Sequence, residues 1–195
     1  RIAFAAVDLR LDRDEIARLT EEYGGQWGIN HTRRLLALVS SIGEGQAYDA
    51  DAVWVAAHLH DWGAYTPWAQ KGVDHTERSL QVAEAFLADR GYPEEFKTLV
   101  LECIAFHHDT GSDRSTEALL MRDADSLDFL GVVGILRDFS KNPRDMRAAY
   151  QSVLKRKAKL ANVFHFYKAK AMAAERLKEM DTVLAALEQE SAGHF

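Results

Sequence analysis

Residues 52–61 read Ala-Val-Trp-Val-Ala-Ala-His-Leu-His-Asp, an apolar segment that ends in the adjacent pair His60-Asp61. Burying a histidine and an ionisable aspartate beside such a segment is costly unless a partner compensates them. A divalent metal ion is such a partner, because imidazole and carboxylate groups are common ligands of divalent metals. The pair therefore predicts a helix that carries two metal ligands near its carboxyl-terminal end.

The sequence around this pair supplies more histidine and aspartate in a fixed order. His31 precedes it, although a histidine at the start of an apolar helix is, by itself, more typical of a surface or capping residue. The segment Asp123-Ala124-Asp125 follows it, with Asp128 close behind. Apolar residues surround these acidic residues, which indicates that much of the segment is buried and that a carboxylate there needs a cation.

This order, His … His-Asp … Asp, resembles the HD superfamily of metal-dependent phosphohydrolases. The family's last ligand is the aspartate of an Ala-Asp pair, which corresponds here to Asp125. The resemblance implies an all-α fold, a single compact HD-domain helical bundle, with a metal held by His31, His60, Asp61 and Asp125. It also implies hydrolysis of a phosphate ester or anhydride, with a nucleotide or a related small phosphate compound as the expected substrate.

The charge of this ligand set suits one divalent ion. Two neutral imidazoles and two carboxylates carry a charge of −2, which balances Mn, Fe, Co, Ni, Zn or Mg in the divalent state. A bound metal can lower the pKa of its water from about 15.7 to about 7, so a metal-bound hydroxide is the expected nucleophile. Of the neighbouring carboxylates, Asp123 is expected to orient a ligand or cap a helix, and Asp128 to support a ligand in a similar way.

Further histidines leave open whether one or two ions bind. His75, His107 and His108 extend the order to one that resembles two-metal HD proteins. That resemblance implies that Asp61 bridges both ions and that His75 with His107 or His108 holds the second one. A second ion would bring additional positive charge, which suits a phosphate substrate.

The same segments also resemble a bacterial group of HD hydrolases that use one metal. The resemblance rests on His75 with Ser79, on His107, and on the sequence DADSLDFLG at residues 123–131. It implies that His75 and His107 bind the substrate phosphate or act as general acid. Both arrangements remain open at this point.

One departure from the family pattern concerns the general acid. HD nucleotidases often carry a glutamate three residues after the His-Asp pair, whereas this chain has Ala64 there. His75 or His108 is the expected replacement, because imidazole titrates near neutral pH.

Substrate contacts are expected from basic and aromatic residues near these motifs. Each such cation is, taken alone, more typical of an ordinary surface charge. The residues expected to bind the anion are Arg33, Arg34, Lys71, Arg78 and Arg114. Trp62, Tyr65 and Trp68 form a cluster that either stacks on a base or sugar ring or belongs to the core.

Helical periodicity covers nearly the whole chain and predicts one domain of residues 1–195. Its core is expected at about 25–140, with C-terminal helices over 143–190 packed on it. Gly24-Gly25 is expected to end the first helix, and Asn30 to cap a second one. Gly131 and Gly134 are expected inside a helix, where they would permit close packing.

Composition narrows the class of protein. A net charge of −6 argues against stable nucleic-acid binding. No apolar segment reaches the roughly 20 residues of a membrane helix, and residues 2–7 are too short for a signal peptide. With a single cysteine, Cys103, which we interpret as a buried core residue, these features favour a cytoplasmic enzyme. The amphipathic C-terminal helix leaves a homodimer open as the oligomeric state. Two other functions also stay open: a diiron HD-type oxygenase and a noncatalytic nucleotide-binding module.

Overall fold

The computed structural model describes residues 10–195, so residues 2–7 lie outside the described part of the chain. All regular structure in residues 10–195 is helical, with no strand, and the predicted all-α class is confirmed. The helices are α1 (Arg13–Ile42), α2 (Ala50–Leu59), α3 (His75–Asp89), α4 (Glu94–Ala105), α5 (Thr116–Asp128), α6 (Gly131–Lys141), α7 (Met146–Leu160) and α8 (Tyr167–Glu190), with a short 3₁₀ turn at Trp62–Ala64. None of the described helices combines the length and the apolar character needed to cross a membrane.

Two glycine positions differ from the sequence expectation. Gly25 has φ = 60° and ψ = −165°, but it kinks α1 and does not end it, so Asn30 lies inside a helix and caps none. Gly131 has φ = 74° and begins α6 directly after α5, instead of lying within one long helix. A left-handed φ is readily adopted by glycine and poorly by other residues, which is why both positions change the chain direction.

Helix α5 lies at the centre of the fold and is buried on every side. All eleven residues from Ala118 to Asp128 are buried, and α5 packs on α1, α2 and α4. Its carboxylates therefore do not form a solvated acidic face, and each of them needs a compensating group.

The C-terminal helices pack onto this centre through α5. Asp123 accepts hydrogen bonds from the backbone N–H groups of His165 and Phe166, which immediately precede α8. Helix α8 also packs on α6, whereas α7 packs mainly on α6. Asp123 thus fixes the start of α8 against α5 through hydrogen bonds to the backbone that precedes α8.

Candidate metal centre

Four side chains converge from α1, from α5 and from the end of α2. His31 Nε2 lies 3.2 Å from His60 Nε2, 3.2 Å from Asp125 Oδ1 and 3.9 Å from Asp61 Oδ2. His60 Nε2 lies 3.4 Å from Asp61 Oδ2. The four residues expected to bind a metal are therefore brought together, although they are spread over 95 positions from His31 to Asp125.

The hydrogen bonds of the two imidazoles fit a role as metal ligands. His60 Nδ1 donates to the carbonyl of Ala57 at 2.9 Å, and His31 Nδ1 donates to Asp128 Oδ2 at 2.7 Å. Each Nδ1 then carries the proton, which leaves the Nε2 lone pairs directed at a shared point between two carboxylates. This donor set of two nitrogens and two carboxylates fits a divalent cation.

The pKa values of His31 and Asp125 also indicate that a cation would stabilise this centre. Burial lowers the pKa of His31, but hydrogen bonds to Asp125 and Asp128 outweigh burial and raise it to about 9. Burial raises the pKa of Asp125, but the hydrogen bond from His31 and the nearby imidazoles hold it well below its ordinary range. A divalent ion at this point would replace the proton that the carboxylates hold on His31, so its binding releases a proton.

Asp128 orients the His31 ring through a hydrogen bond to its Nδ1. Its Oδ2 accepts from His31 Nδ1 at 2.7 Å and from Arg137 at 2.6 Å, while Arg34 Nε donates to Oδ1 at 2.7 Å. A carboxylate that accepts from a metal-bound imidazole fixes its orientation and raises its basicity. Asp128 therefore has the supporting role expected from the sequence.

Asp128→Asn should weaken metal binding about 10-fold to 100-fold, because the orienting carboxylate of His31 loses its charge. Titration of a divalent metal such as Mn²⁺ into the metal-free protein measures this effect as a change in Kd. Asp123→Asn is the matched control, since it removes a buried carboxylate of the same helix that accepts hydrogen bonds from the backbone preceding α8 and does not contact His31. Equal losses of affinity in both variants would show that the effect is general destabilisation.

The second histidine group lies beside this centre. One ring nitrogen each of His75, His107 and His108 lies within 4.8 Å of the others, and His108 Nδ1 is 3.6 Å from Asp125 Oδ2. His107 Nδ1 donates to the carbonyl of Ile104 at 2.5 Å, and within the described residues its buried Nε2 has no hydrogen-bond partner. Buried polar atoms rarely lack a partner, so this nitrogen is a candidate ligand.

A cleft of about 420 Å³ opens above the metal ligands. Asp61, Asp125, His75 and His108 line its inner part. Its remaining lining is aromatic, apolar and strongly basic, and comprises Trp27, Ala64, Ser126, Phe129, Leu160 and the cations Arg137, Lys141, Arg156 and Lys159. These four cations and Trp27 are residues that the sequence analysis missed.

The residues expected to bind the anion do not line this cleft. They are Arg33, Arg34, Lys71, Arg78 and Arg114, and none of them is among the described residues of its lining. Arg34 Nε donates a hydrogen bond to Asp128, and Arg78 Nε donates one to the carbonyl of Trp68. Arg114 forms an ion pair within its own loop, and the other two are exposed.

The tryptophan cluster after the His-Asp pair belongs to the core. Trp62 is fully buried, stacks on Trp68 with ring centroids 4.5 Å apart, and donates its Nε1–H to Thr20. Tyr65 packs against the backbone of α1 at Gly24 and Gly28. Of the two interpretations left open for these rings, the structure favours core packing.

The sequence model of the HD domain matches residues 28–130, which is more than half of the chain. The chain belongs to the HD domain family. The matched part of this HD domain contains all four residues of the candidate metal centre, and it ends before α6 and α7, which supply the cations of the cleft. No curated protein sequence matches the chain.

Solved structures resemble this HD domain over nearly its whole length. Bacillus subtilis YpgQ, solved in complex with ADP, is 25% identical with a TM-score of 0.69, and the match covers 91% of this chain and 93% of YpgQ. A predicted HD superfamily hydrolase from an uncultured Thermotogales bacterium is 25% identical with a TM-score of 0.67, covering 91% and 92%. An HD-superfamily hydrolase from Bacillus thuringiensis has a TM-score of 0.70 at 20% identity, covering 93% and 97%, and shows the shared fold.

Proposed function

We propose that this HD domain is a metal-dependent phosphohydrolase that cleaves a phosphate ester or anhydride of a nucleotide or a related small compound. The observation that carries the proposal is a cleft in which two carboxylates of the candidate metal centre, Asp61 and Asp125, share the lining with four cations. The chain as a whole has a net charge of −6, so this concentration of positive charge is local. Such a cleft favours an anionic substrate and the charge that develops on phosphoryl transfer.

The cations crowd around one aromatic ring. The guanidinium carbons of Arg137 and Arg156 lie 4.0 Å and 4.3 Å from the ring centroid of Phe129, and Lys141 Nζ lies 5.7 Å from it. Burial, with repulsion from Arg156 and Arg137, lowers the pKa of Lys141. Cations held this close repel one another, and an anion placed among them relieves the repulsion.

A buried carboxylate fixes one of these cations. Asp138, which is 1% exposed, accepts from Arg156 Nε at 3.0 Å and from a terminal nitrogen of Arg156 at 3.1 Å. This two-point contact holds the guanidinium in one orientation while Arg156 lines the cleft. Arg156 is therefore prepositioned to bind a phosphate oxygen.

Each part of the cleft has a distinct role in the proposed reaction. The divalent ion would be held by His31, His60, Asp61 and Asp125, and it would supply Lewis acidity and lower the pKa of a coordinated water. The cations bind phosphate oxygens and stabilise their charge in the transition state. His75 and His108 line the same cleft, where they and the adjacent His107 would hold either a second ion or the substrate phosphate.

The test is release of phosphate or pyrophosphate from a panel of nucleotides and small phosphate esters, with Mn²⁺, Co²⁺ or Mg²⁺ added to metal-free protein. Adenine nucleotides come first in the panel, because YpgQ was solved with ADP. We expect hydrolysis that stops with a chelator and returns when the metal is restored. Oxygen uptake by an iron-loaded protein would instead indicate the diiron oxygenase, and tight binding of an intact nucleotide would indicate the binding module.

Arg156→Gln should raise KM about tenfold and change kcat by a smaller factor, because a hydrogen bond to a charged group contributes about 1.5–3 kcal/mol. Steady-state kinetics with the best substrate of the panel measures both constants. Arg78→Gln is the control, since its guanidinium donates to the Trp68 carbonyl and does not line the cleft. An unchanged KM in the Arg156 variant would remove this residue from the substrate site.

A further inference from the structure

Trp27 differs from the other three tryptophans of the chain. Trp54 stacks on His58 at 3.8 Å, and Trp62 and Trp68 stack on each other at 4.5 Å. Within the described residues Trp27 forms no such aromatic pair, and it is 46% exposed although it lines the cleft. A large aromatic surface is therefore available to a ligand at the place where the proposed substrate binds.

The course of α1 explains how this ring reaches the cleft. Gly25 kinks the helix two residues before Trp27. A Cβ atom at Gly24 would come within 2.6 Å of the Tyr65 ring, and one at Gly28 within 2.5 Å of its hydroxyl oxygen, so this face of the helix is packed inward. Trp27 lies on a different face and lines the cleft, and within residues 10–195 it is not part of the main hydrophobic core.

The ring lies next to the cations of the cleft. The guanidinium carbon of Arg137 is 5.5 Å from its centroid, and Lys141 Nζ is 5.8 Å from it. Arg137 is 7% exposed, and its buried Nε has no hydrogen-bond partner within the described residues. A ligand that fits this arrangement carries anionic oxygens for the cations and a flat aromatic group for the indole ring.

We propose that Trp27 is the base-stacking residue of the cleft and that the substrate is a nucleoside phosphate. Its base lies on the indole ring of Trp27, and its phosphates contact Arg137 and Lys141. The inference rests on the proposed function, because it assigns a substrate class to the same cleft. Stacking on an aromatic side chain is tolerant of base identity, since every base has a π-face, so Trp27 selects for the presence of a base more than for its type.

Binding of two ligands, one with and one without a base, tests the proposal. Calorimetric titration of the full chain with ADP and with inorganic pyrophosphate, in the presence of a chelator, measures affinity without turnover. Trp27→Ala should weaken ADP binding about tenfold and change pyrophosphate binding less than about twofold, because only ADP offers a ring to stack. Trp27→Phe should keep most of the affinity for ADP.

The control variant is Tyr167→Ala, which removes an aromatic ring that is 86% exposed and outside the cleft. It should bind both ligands as the wild type does. Equal weakening of ADP and pyrophosphate by Trp27→Ala would overturn the proposal, since Trp27 would then act by supporting the cations. No weakening of either ligand would overturn it as well.

Tryptophan fluorescence gives an independent readout. ADP should quench the wild-type emission and pyrophosphate should not, and the quenching by ADP should disappear in Trp27→Phe. Quenching that persists in that variant would place the base elsewhere. These binding results do not depend on hydrolysis, so a failure of the proposed reaction and a failure of the stacking proposal are distinguishable.

Discussion

Asp61→Asn should abolish retention of the divalent ion at the metal centre and lower turnover at least about a thousandfold. The substitution keeps the shape of the side chain but reduces the charge of the ligand set from −2 to −1, so one divalent ion is no longer balanced. Lewis-acid stabilisation by a bound ion is worth several kcal/mol, and each 1.36 kcal/mol corresponds to a factor of ten in rate. Elemental analysis of protein purified without chelator, together with the assay of the best substrate, measures both effects.

His60→Ala should give the same result, because His60 Nε2 lies 3.4 Å from Asp61 Oδ2 in the same ligand set. Asp113→Asn is the control for this pair of variants, since Asp113 is an exposed loop residue. It should retain metal and activity as the wild type does. Full activity in Asp61→Asn would contradict the assignment of the metal centre and the proposed reaction with it.

The convergence of the side chains at the candidate metal centre could be predicted from the sequence, because histidine and aspartate are costly to bury without a partner. A His-Asp pair after an apolar helix and a carboxylate within the buried helix α5 both demand compensation, and one ion compensates them together. The helices themselves follow from periodicity and caps. Asp74, for example, is the N-cap residue of α3, and its carboxylate accepts hydrogen bonds from the backbone N–H groups of Thr76 and Glu77.

The cations of the cleft could not be predicted, because they reach it through tertiary packing and not through proximity in sequence. Arg34 and Arg78 were expected to bind the anion because they lie near the motifs in sequence, but their side chains contact Asp128 and the Trp68 carbonyl. The four cations that line the cleft come from α6 and α7, and the sequence of these helices gives only a weak indication of this role. Arg137 and Lys141 are spaced i, i+4, which places them on one helix face without showing what that face meets.

Backbone conformation at glycine was the second source of error. A pair such as Gly24-Gly25 is typical of a helix end, and the sequence contains nothing that distinguishes an end from a kink. Packing decides between them, because Gly24 and Gly28 lie directly against Tyr65, which lies between α2 and α3 in the chain. The kink has a consequence for the cleft, since Trp27 follows it within one turn.

His107→Ala should reduce the number of bound divalent ions from two per chain to one and lower turnover about a hundredfold. The basis is a parallel between His107 and His60. Each donates Nδ1–H to the carbonyl three residues earlier, Ile104 and Ala57 respectively, and each is fully buried with a pKa that burial lowers. A neutral imidazole held in this tautomer presents Nε2 as a ligand, and in His107 that atom has no other partner within the described residues.

The rate loss follows from the position of this histidine group: His108 Nδ1 lies 3.6 Å from Asp125 Oδ2, and His75 and His108 line the cleft next to His107. Removing a group that stabilises developing charge typically costs about 10²-fold to 10³-fold in kcat. His58→Ala is the control: His58 is also a buried histidine, but its Nδ1 donates to the Trp54 carbonyl and its ring stacks on Trp54, away from the ligands. Elemental analysis at saturating metal separates the two arrangements left open by the sequence. One ion in both the wild type and His107→Ala would contradict the second metal site and assign the histidine group to the substrate phosphate.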